Sequence, residues 1–304
     1  MILTACPNPS VDKFLSLSSI KSGQVNRSSG EAAFPGGKGV HVALAVNEIG
    51  VASHVTGFWG GPTGQWIKQM CSREGVESSG PAIEGWTRTC LTIRSEEELK
   101  DTEILEHGPT ITEQELQDFW EAVDHQTQQS NLICVSGSWP DGSPDDVYQA
   151  LSTYCDDPRF SVWIDASGER LKQAVDIHPY GIHVNTSEAR SLLGREDTAD
   201  TYARALLNYC EVAAVTDGAN GLYLASGEDV YHAYCPVEKV ISTVGCGDCL
   251  LAGLLVAQHR GQSLRDRAVL GTACGTANCL RPDLGMLYNS DVQDLTKKVT
   301  CNKI

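Results

Sequence analysis

The residues best suited to chemistry lie in one stretch, Ser242-Thr243-Val244-Gly245-Cys246-Gly247-Asp248-Cys249. Two glycines bracket Cys246, and an aspartate follows at once. The nine residues from Cys249 to Ala257 carry no charge, a run that reads as a helix buried on all sides. The Gly245-Cys246-Gly247 turn would then open that helix. Free N–H groups and the positive end of the helix dipole gather there and favour an anion such as phosphate. Glycine lets a ligand come close to the backbone. Asp248 would repel a phosphate, but it makes sense as a base that takes a proton from a hydroxyl about to attack phosphorus. The competing reading is that Asp248 caps the helix and the glycines only make a turn. A second cluster, Phe34-Pro35-Gly36-Gly37-Lys38-Gly39-Val40-His41, opens another helix. Its spacing fits neither a Walker A loop nor G-x-G-x-x-G.

The elements that must hold these clusters alternate along the chain. Strands are expected at Ile2–Ala5, His54–Phe58, Leu132–Ser136, Ser161–Asp165, Gly181–Asn185, Val212–Asp217 and Leu222–Ala225. Helices are expected at Gly39–Ile49, Thr63–Glu74, Thr112–Gln128, Pro144–Tyr154, Glu169–Val175, Thr186–Leu193, Thr198–Tyr209, Gly247–Gln258, Ser263–Leu280 and Ser290–Val299. Several of the strands are short and apolar on both faces, the pattern of a parallel sheet covered by helices on each side. Ligands in such folds bind at the carboxyl ends of the strands. Two regions break the alternation: Val11–Leu17 with Val25–Phe34, and Thr87–Arg94 with Thr102–His107. They read as extended segments without crossover helices, and would make a small separate sheet that is either a lid over the crevice or a pair of edge hairpins. Alternation puts Thr89, Leu91 and Ile93 on one face and Arg88, Cys90, Thr92 and Arg94 on the other.

Composition narrows the partners. The chain has 304 residues, enough for a large core, and a formal net charge of −16, which argues against nucleic acid and anionic membrane. An anionic substrate would need a local cluster of cations. No apolar run is long enough to span a bilayer, and the start, Met1-Ile-Leu-Thr-Ala-Cys-Pro, looks like a first strand rather than a signal peptide. A cytoplasmic location is expected, with the twelve scattered cysteines reduced. Cys246 and Cys249 form a C-x-x-C with Cys274 and Cys279 downstream. That leaves a zinc site or a redox pair open, although the second spacing is wide for zinc.

Together, the Gly-Gly-Lys-Gly and Gly-Cys-Gly-Asp clusters resemble the two signatures of the ribokinase-like, PfkB-type carbohydrate kinases, roughly Gly-Gly-x-Gly-x-Asn and Thr-x-Gly-Ala-Gly-Asp. The resemblance runs over nearly the whole chain. Asn8-Pro-Ser-Val-Asp12 is similar to the family's first-strand exit, where an aspartate holds sugar hydroxyls. Trp86-Thr-Arg88 is similar to the lid strand whose arginine reaches a substrate phosphate. Val135-Ser136-Gly137-Ser138-Trp-Pro140 resembles the family's Ser-Gly-Ser turn. Asn185-Thr-Ser-Glu188 matches the N-x-x-E linked to Mg-nucleotide phosphates, and Thr216-Asp-Gly218-Ala-Asn-Gly221 resembles the glycine-rich nucleotide loop. Gly275-Thr-Ala-Asn278 falls on the helix that flanks the adenine in the family. Each piece has a plainer reading: Lys38 and Arg88 as solvated charges, Asp12 as a turn cap, Asn185 with Glu188 as a capping box, Gly218 and Gly221 as a hairpin turn.

The resemblance implies a ribokinase-like three-layer α/β/α sandwich with a central, mostly parallel sheet and a small β-sheet lid. It implies one kinase domain over residues 1–304, with the lid formed from about 11–34 and 86–108. The sugar-phosphate branch of the family, which holds the 1-phosphofructokinases and tagatose-6-phosphate kinases, is the most similar. The activity implied is transfer of the γ-phosphoryl group of ATP to a ketohexose phosphate, fructose 1-phosphate first. Asp248 would be the base, and Gly245, Cys246 and Gly247 the anion hole. Asp12, Gly37, Lys38, His41, Arg88, Ser136 and Ser138 would hold the substrate. Asn185, Glu188, Thr216, Gly218, Gly221 and Asn278 would hold ATP, with Glu188 reaching Mg²⁺ through water. Pairing of lids in a homodimer is implied as well. Three positions depart from the family: His41 replaces an asparagine, His183 a lysine and Cys246 an alanine. These departures leave two alternatives: a kinase for another sugar, tagatose 6-phosphate, or a nucleoside, and a sugar-phosphate sensor that has lost turnover.

Overall fold

The computed structural model of the chain describes residues 1–95 and 100–304. The first half contains β1 (Ile2–Cys6), β2 (Ser10–Leu17), β3 (Gly30–Gly36), α1 (Lys38–Glu48), β4 (Ser53–Gly57), β5 (Trp59–Gly60), α2 (Gly61–Arg73), β6 (Glu77–Ser79), β7 (Ala82–Ile83), β8 (Arg88–Ser95), β9 (Lys100–Leu105) and α3 (Glu113–Thr127). Then follow β10 (Leu132–Ser136), α4 (Ser152–Cys155), β11 (Ser161–Asp165), α5 (Gly168–Val175), β12 (Gly181–Asn185), α6 (Thr186–Leu193), α7 (Ala199–Leu206) and β13 (Val212–Thr216). The chain finishes with β14 (Leu222–Ser226), β15 (Asp229–Tyr234), α8 (Cys246–His259), α9 (Leu264–Cys279), α10 (Asn289–Thr296) and β16 (Thr300–Lys303).

Ten of these strands form one sheet in the order β16-β15-β14-β13-β12-β11-β10-β1-β4-β6. From β6 to β13 all neighbours are parallel, and β14, β15 and β16 add an antiparallel edge. Apolar residues fill both faces because helices cover both. Ile133 and Val135 of β10 pack with Phe119, Leu171 and Leu206 on one side, while Leu132 and Cys134 pack with Val42, Leu251 and Leu255 on the other. This is the expected α/β layering of a ribokinase-like fold. Strand order reverses between β1 and β10. A crevice therefore opens beyond their carboxyl ends, the place where such sheets bind ligands.

A second sheet, in the order β3-β2-β8-β9, stands over that crevice. Its inner face is built by alternate residues: Asp12 pairs with Cys90 and Phe14 with Thr92 across β2 and β8, and Cys90 faces Leu105 of β9. The expected lid range 86–108 includes residues 96–99, which lie outside the described residues. In the other range, 11–34, the first segment forms β2 as expected, and the second, Val25–Phe34, is corrected at its start. Val25 is largely in solvent and the strand begins only at Gly30, because residues 18–29 have little to pack against. The helix expected over Pro144–Tyr154 is instead a 3-10 turn, Val147–Leu151, followed by the single turn of α4. Three buried side chains, Val147, Tyr148 and Leu151, fix that segment on the sheet, and a short tight coil suffices to present them. Strands β6, β15 and β16 were not legible in the pattern: β6 and β16 are short edge pieces with polar residues, and Asp229, Tyr231 and His232 interrupt the apolar residues of β15. No helix among the described residues is long and apolar enough to cross a membrane.

Candidate active site

Helix α8 is capped by Gly245, not by a side chain, and Asp248 through Ala257 are buried. Gly245 has φ +83°, and a Cβ on it would lie 2.3 Å from the Cα of Gly285. Glycine is required here, and Gly245 and Gly247 line the crevice at the helix's first turn, while the Cys246 N–H donates to the Thr243 carbonyl at 3.3 Å. Asp248, in the same turn, is only 6% exposed. Helix α1 opens in a parallel way on Gly37, φ +92°, where a Cβ would meet Cys6 Sγ and Pro9 Cα at 2.9 Å. Its first turn carries Lys38 and His41, three residues apart and so on one face.

His41 is wedged between two carboxylates. Its Nδ1 is 2.8 Å from Asp248 Oδ2, and its Nε2 is 3.1 Å from Asp12 Oδ2, an ion-pair distance without hydrogen-bond alignment. Ser10 Oγ donates to the other oxygen of Asp12 at 2.6 Å. Burial disfavours charge on the ring, but the contacts with Asp12 and Asp248 outweigh it and push His41 up to about 10. The ring is therefore an imidazolium at neutral pH. It ties the lid aspartate to the aspartate of the helix α8 N-terminus.

The cations lie in the same cavity, of about 650 Å³, with Asp12, Gly37, His41, Ser138, Gly245, Gly247 and Asp248. Lys38 Nζ is 2.9 Å from Asp165 Oδ1, and Ser136 Oγ donates to Asp165 Oδ2 at 3.0 Å. Asp165 ends β11 and is 1% exposed, whereas the Lys38 side chain is 41% exposed. The Asp165 carboxylate holds the Lys38 ammonium well above the usual lysine value. Burial opposes charge on Asp165, yet Lys38 and His183 keep it well below the usual carboxylate range. Arg88 opens β8 and donates Nη2 to the Asn8 carbonyl at 3.0 Å and Nη1 to the Glu106 carbonyl at 3.2 Å. Its Nε is buried without a partner. Both ring nitrogens of His183 are likewise unpartnered, with Nδ1 3.7 Å from Asp165. Buried donors left open in a cavity favour an acceptor-rich ligand.

A second cavity, of about 600 Å³, adjoins the first and shares Asn185, Thr216, Thr243 and Gly247 with it. Gly218, Ala219, Gly221, Pro236, Val237, Val240 and Leu250 make it more apolar. Asn185 ends β12 and caps α6: its Oδ1 accepts from Glu188 N, and Glu188 Oε2 accepts from Asn185 N, both at 2.9 Å. The capping box is thus present, and it also fixes the Glu188 carboxylate on the cavity wall. Cys246 and Cys279 line the second cavity with their sulfurs 3.0 Å apart.

A family model, pfkB family carbohydrate kinase, matches residues 8–287. The chain belongs to the pfkB family of carbohydrate kinases. Members are phosphotransferases with an alcohol group as acceptor. The chain is 31% identical to the 1-phosphofructokinase of Bacillus subtilis (strain 168) over 309 residues, with all of both proteins covered. Phosphofructokinase-2 of Escherichia coli, solved with fructose-6-phosphate, has the same fold at TM-score 0.88 and 24% identity, covering 97% of this chain and 98% of that one. So does a possible 1-phosphofructokinase of Thermotoga maritima, at TM-score 0.90 and 22% identity over 100% and 99% of the two chains.

Within this kinase fold, most of the expected residues do converge on the two cavities, but Ser136 and Asn278 do not. Ser136 is fully buried beneath Asp165. Asn278 is also fully buried: Nδ2 donates to the Met286 carbonyl at 2.7 Å, and Oδ1 accepts from Cys246 Sγ at 3.1 Å. Both amide ends are spent on protein groups, so Asn278 braces the helix end instead of facing the cavity. The C-x-x-C pairing is corrected too. Cys249 is fully buried in the core, where its thiol donates to the Gly285 carbonyl at 3.4 Å, while Cys246 meets Cys279 of α9. Among the described residues, no group of three or more His, Cys, Asp and Glu is arranged to hold a metal. Asp165, Asn8 and the lid residues Glu103 and Leu105 were missed. Asp165 left one signal, an aspartate closing an apolar strand.

Proposed function

We propose that this kinase transfers the γ-phosphoryl group of ATP to a hydroxyl of a ketohexose phosphate, fructose 1-phosphate first, giving fructose 1,6-bisphosphate. The observation that carries the reading is one cavity in which Asp248, at an open helix N-terminus, faces Lys38 and Arg88. The 31% identity to a 1-phosphofructokinase supports the choice of sugar.

Arg88 and Lys38 take the phosphate already on the sugar. Arg88 offers its unpartnered Nε, while Lys38 reaches it from its Asp165 anchor. Asp12 holds sugar hydroxyls, with His41 fixing its orientation. Asp248 accepts the proton of the attacking hydroxyl. That oxygen then bonds to the γ-phosphorus in line as the bond to the ADP oxygen breaks. The Gly245 and Gly247 N–H groups, with Cys246 holding the turn between them, stabilise the charge on the passing phosphoryl group. The adenine lies against Gly218, Gly221 and the apolar wall of the second cavity. Glu188 and Asn185 suit a hydrated Mg²⁺: one carboxylate held on the wall, with no cage of three or more ligands among the described residues, is how that ion is met beside nucleotide phosphates. When bound, Mg²⁺ would neutralise charge on the β- and γ-phosphates. Thr92, Glu103 and Leu105 of the lid close the roof and exclude water. On the lid's other face Ile104 is 52% exposed and its apolar neighbours Leu15, Leu91 and Ile93 are only partly buried, which supports pairing of two lids in a homodimer.

The test is ATP turnover with fructose 1-phosphate, fructose 6-phosphate, tagatose 6-phosphate, fructose and ribose, alongside Asp248→Asn. Highest kcat/KM on fructose 1-phosphate is expected, with Asp248→Asn losing about 10³-fold or more in kcat while still binding ATP. Preference for an unphosphorylated sugar, or near-normal turnover by the variant, would refute the reading.

A further inference from the structure

The Cys246–Cys279 contact has no part in the phosphoryl transfer just described. Cys246 is the first residue of α8, whose N–H groups form the proposed anion hole, and Cys279 is the last residue of α9. The two helices approach closely because α9 carries Gly275 against α8, where a Cβ would sit 3.0 Å from the Cys246 carbonyl. The sulfurs are 3.0 Å apart, nearer than unbonded sulfurs ordinarily come, and both border the open cavity where the adenine is placed. Seven of the other ten cysteines are buried, and Cys155, Cys235 and Cys301 are partly exposed. Among the described residues, no other two thiols are in hydrogen-bond contact.

We propose that Cys246 and Cys279 form a reversible disulfide, a modification site at the base of the anion hole that switches the nucleotide cleft off. The oxidant is a peroxide. The Cys279 thiolate attacks one peroxide oxygen, the O–O bond breaks, and the departing hydroxide takes a proton and leaves as water. Cys246 then attacks the sulfenic sulfur as its thiol proton passes to the leaving hydroxyl; the S–S bond forms, the S–O bond breaks and a second water leaves. Two thiols are oxidised and one peroxide is reduced to two waters. Cys279 is suited to the first step because it borders the open cavity and its contact with Cys246 lowers its thiol below the usual value.

Bond formation draws the sulfurs together by about 1 Å, from a contact to a covalent length. Cys246 would then lose its bond to Asn278, and Gly245, packed so closely on Gly285 that a Cβ has no room, would have to shift with it. The N–H groups placed for the phosphoryl oxygens move as a consequence. The loss of turnover rests on the kinase reading; formation of the bond does not.

The experiment treats the reduced full-length protein with hydrogen peroxide, blocks remaining thiols with iodoacetamide, and maps peptides by mass. Binding of a non-hydrolysable ATP analogue is measured by calorimetry before and after oxidation, and ATP turnover is measured in parallel. A peptide linking Cys246 to Cys279, two hydrogens lighter than its parts, is expected. Turnover should fall by about 10²-fold, as a 1 Å displacement of positioning groups does. Analogue binding should weaken, and dithiothreitol should reverse all three changes. Cys279→Ser and Cys279→Ala, each compared with its own reduced form, should lose nothing on oxidation. Finding both cysteines alkylated after peroxide, or the linked peptide with unchanged analogue binding and turnover, would overturn the proposal. If no sugar is turned over, the peptide map and the calorimetry still decide it.

Discussion

Replacing His41 with asparagine, the residue that the family resemblance implies at that position, tests the imidazolium bridge directly. The folded-state value is pushed up to about 10 from an ordinary 6.5, because contacts with Asp12 and Asp248 outweigh burial. Between those two pH values the native state keeps a proton that the unfolded state releases. The stabilisation is fully present below 6.5 and is lost as pH rises towards the folded value. Linkage makes the slope about 1.4 kcal/mol per pH unit for one such proton, or roughly 3 kcal/mol between pH 7 and 9. The asparagine amide could still donate to one carboxylate, but it carries no proton to lose, so the slope of His41→Asn over that range should be flatter by about that amount. Urea unfolding of both proteins at several pH values reads the difference, with all other titrating groups common to both. At neutral pH the variant should also be less stable, since two buried carboxylates, Asp12 and Asp248, lose their shared cation. Parallel stability profiles from pH 7 to 9 would mean that His41 is neutral in the folded protein, and the account of Asp248 being held by a charged ring would fail.

Arg88→Ala should raise KM for the phosphosugar by about 10-fold to 10²-fold, the loss of one or two charge-assisted hydrogen bonds, and should alter KM for unphosphorylated fructose much less. Equal losses on both substrates would remove Arg88 as the phosphate clamp. Gly245→Ala forces a Cβ to within 2.3 Å of Gly285 at a φ of +83°. A kcat loss of about 10² with circular dichroism unchanged is the expected result; normal kcat would show that the α8 N-terminus does not need this geometry. Asp165→Asn leaves the Lys38 ammonium without its anchor. Because Lys38 is 41% exposed, water screens the loss, so a destabilisation of about 1–2 kcal/mol in urea melts is expected, below the value for a fully buried pair. Phosphosugar KM should rise as well, and an unchanged KM would place Lys38 outside the phosphate site. The stabilisation from Asp165 is present above the usual carboxylate range and lost as pH falls below it, so acid unfolding of the variant should be shallower.

The sequence by itself determined what depends on neighbours along the chain. Strands such as Leu132–Ser136 and Val212–Thr216 announce themselves because burial on both faces demands an apolar run. The Gly-Cys-Gly-Asp turn is equally local, since a helix start with no side-chain cap and a positive φ requires glycine at one position. The order and wording of these turns sufficed for the family and for one crevice at the carboxyl ends. Edge strands β6 and β16 escaped because they have little buried surface to impose a pattern, and β15 because Asp229, Tyr231 and His232 interrupt its buried Val230 and Ala233.

Only the tertiary structure decided which partner each functional side chain keeps. His41 meets Asp248 across 207 positions, Lys38 meets Asp165 across 127, and Cys246 meets Cys279 instead of its near neighbour Cys249. Asn278 turned inward for the same reason: its amide found the Met286 carbonyl and Cys246 once α8 and α9 had packed. Periodicity fixes which way a residue points on its own element, whereas charge and hydrogen-bond pairing depend on where the sheet order and helix packing bring distant elements together. A buried ring between two carboxylates, or a lysine held by a buried aspartate, exists only after that assembly, because burial is what makes those pairings strong.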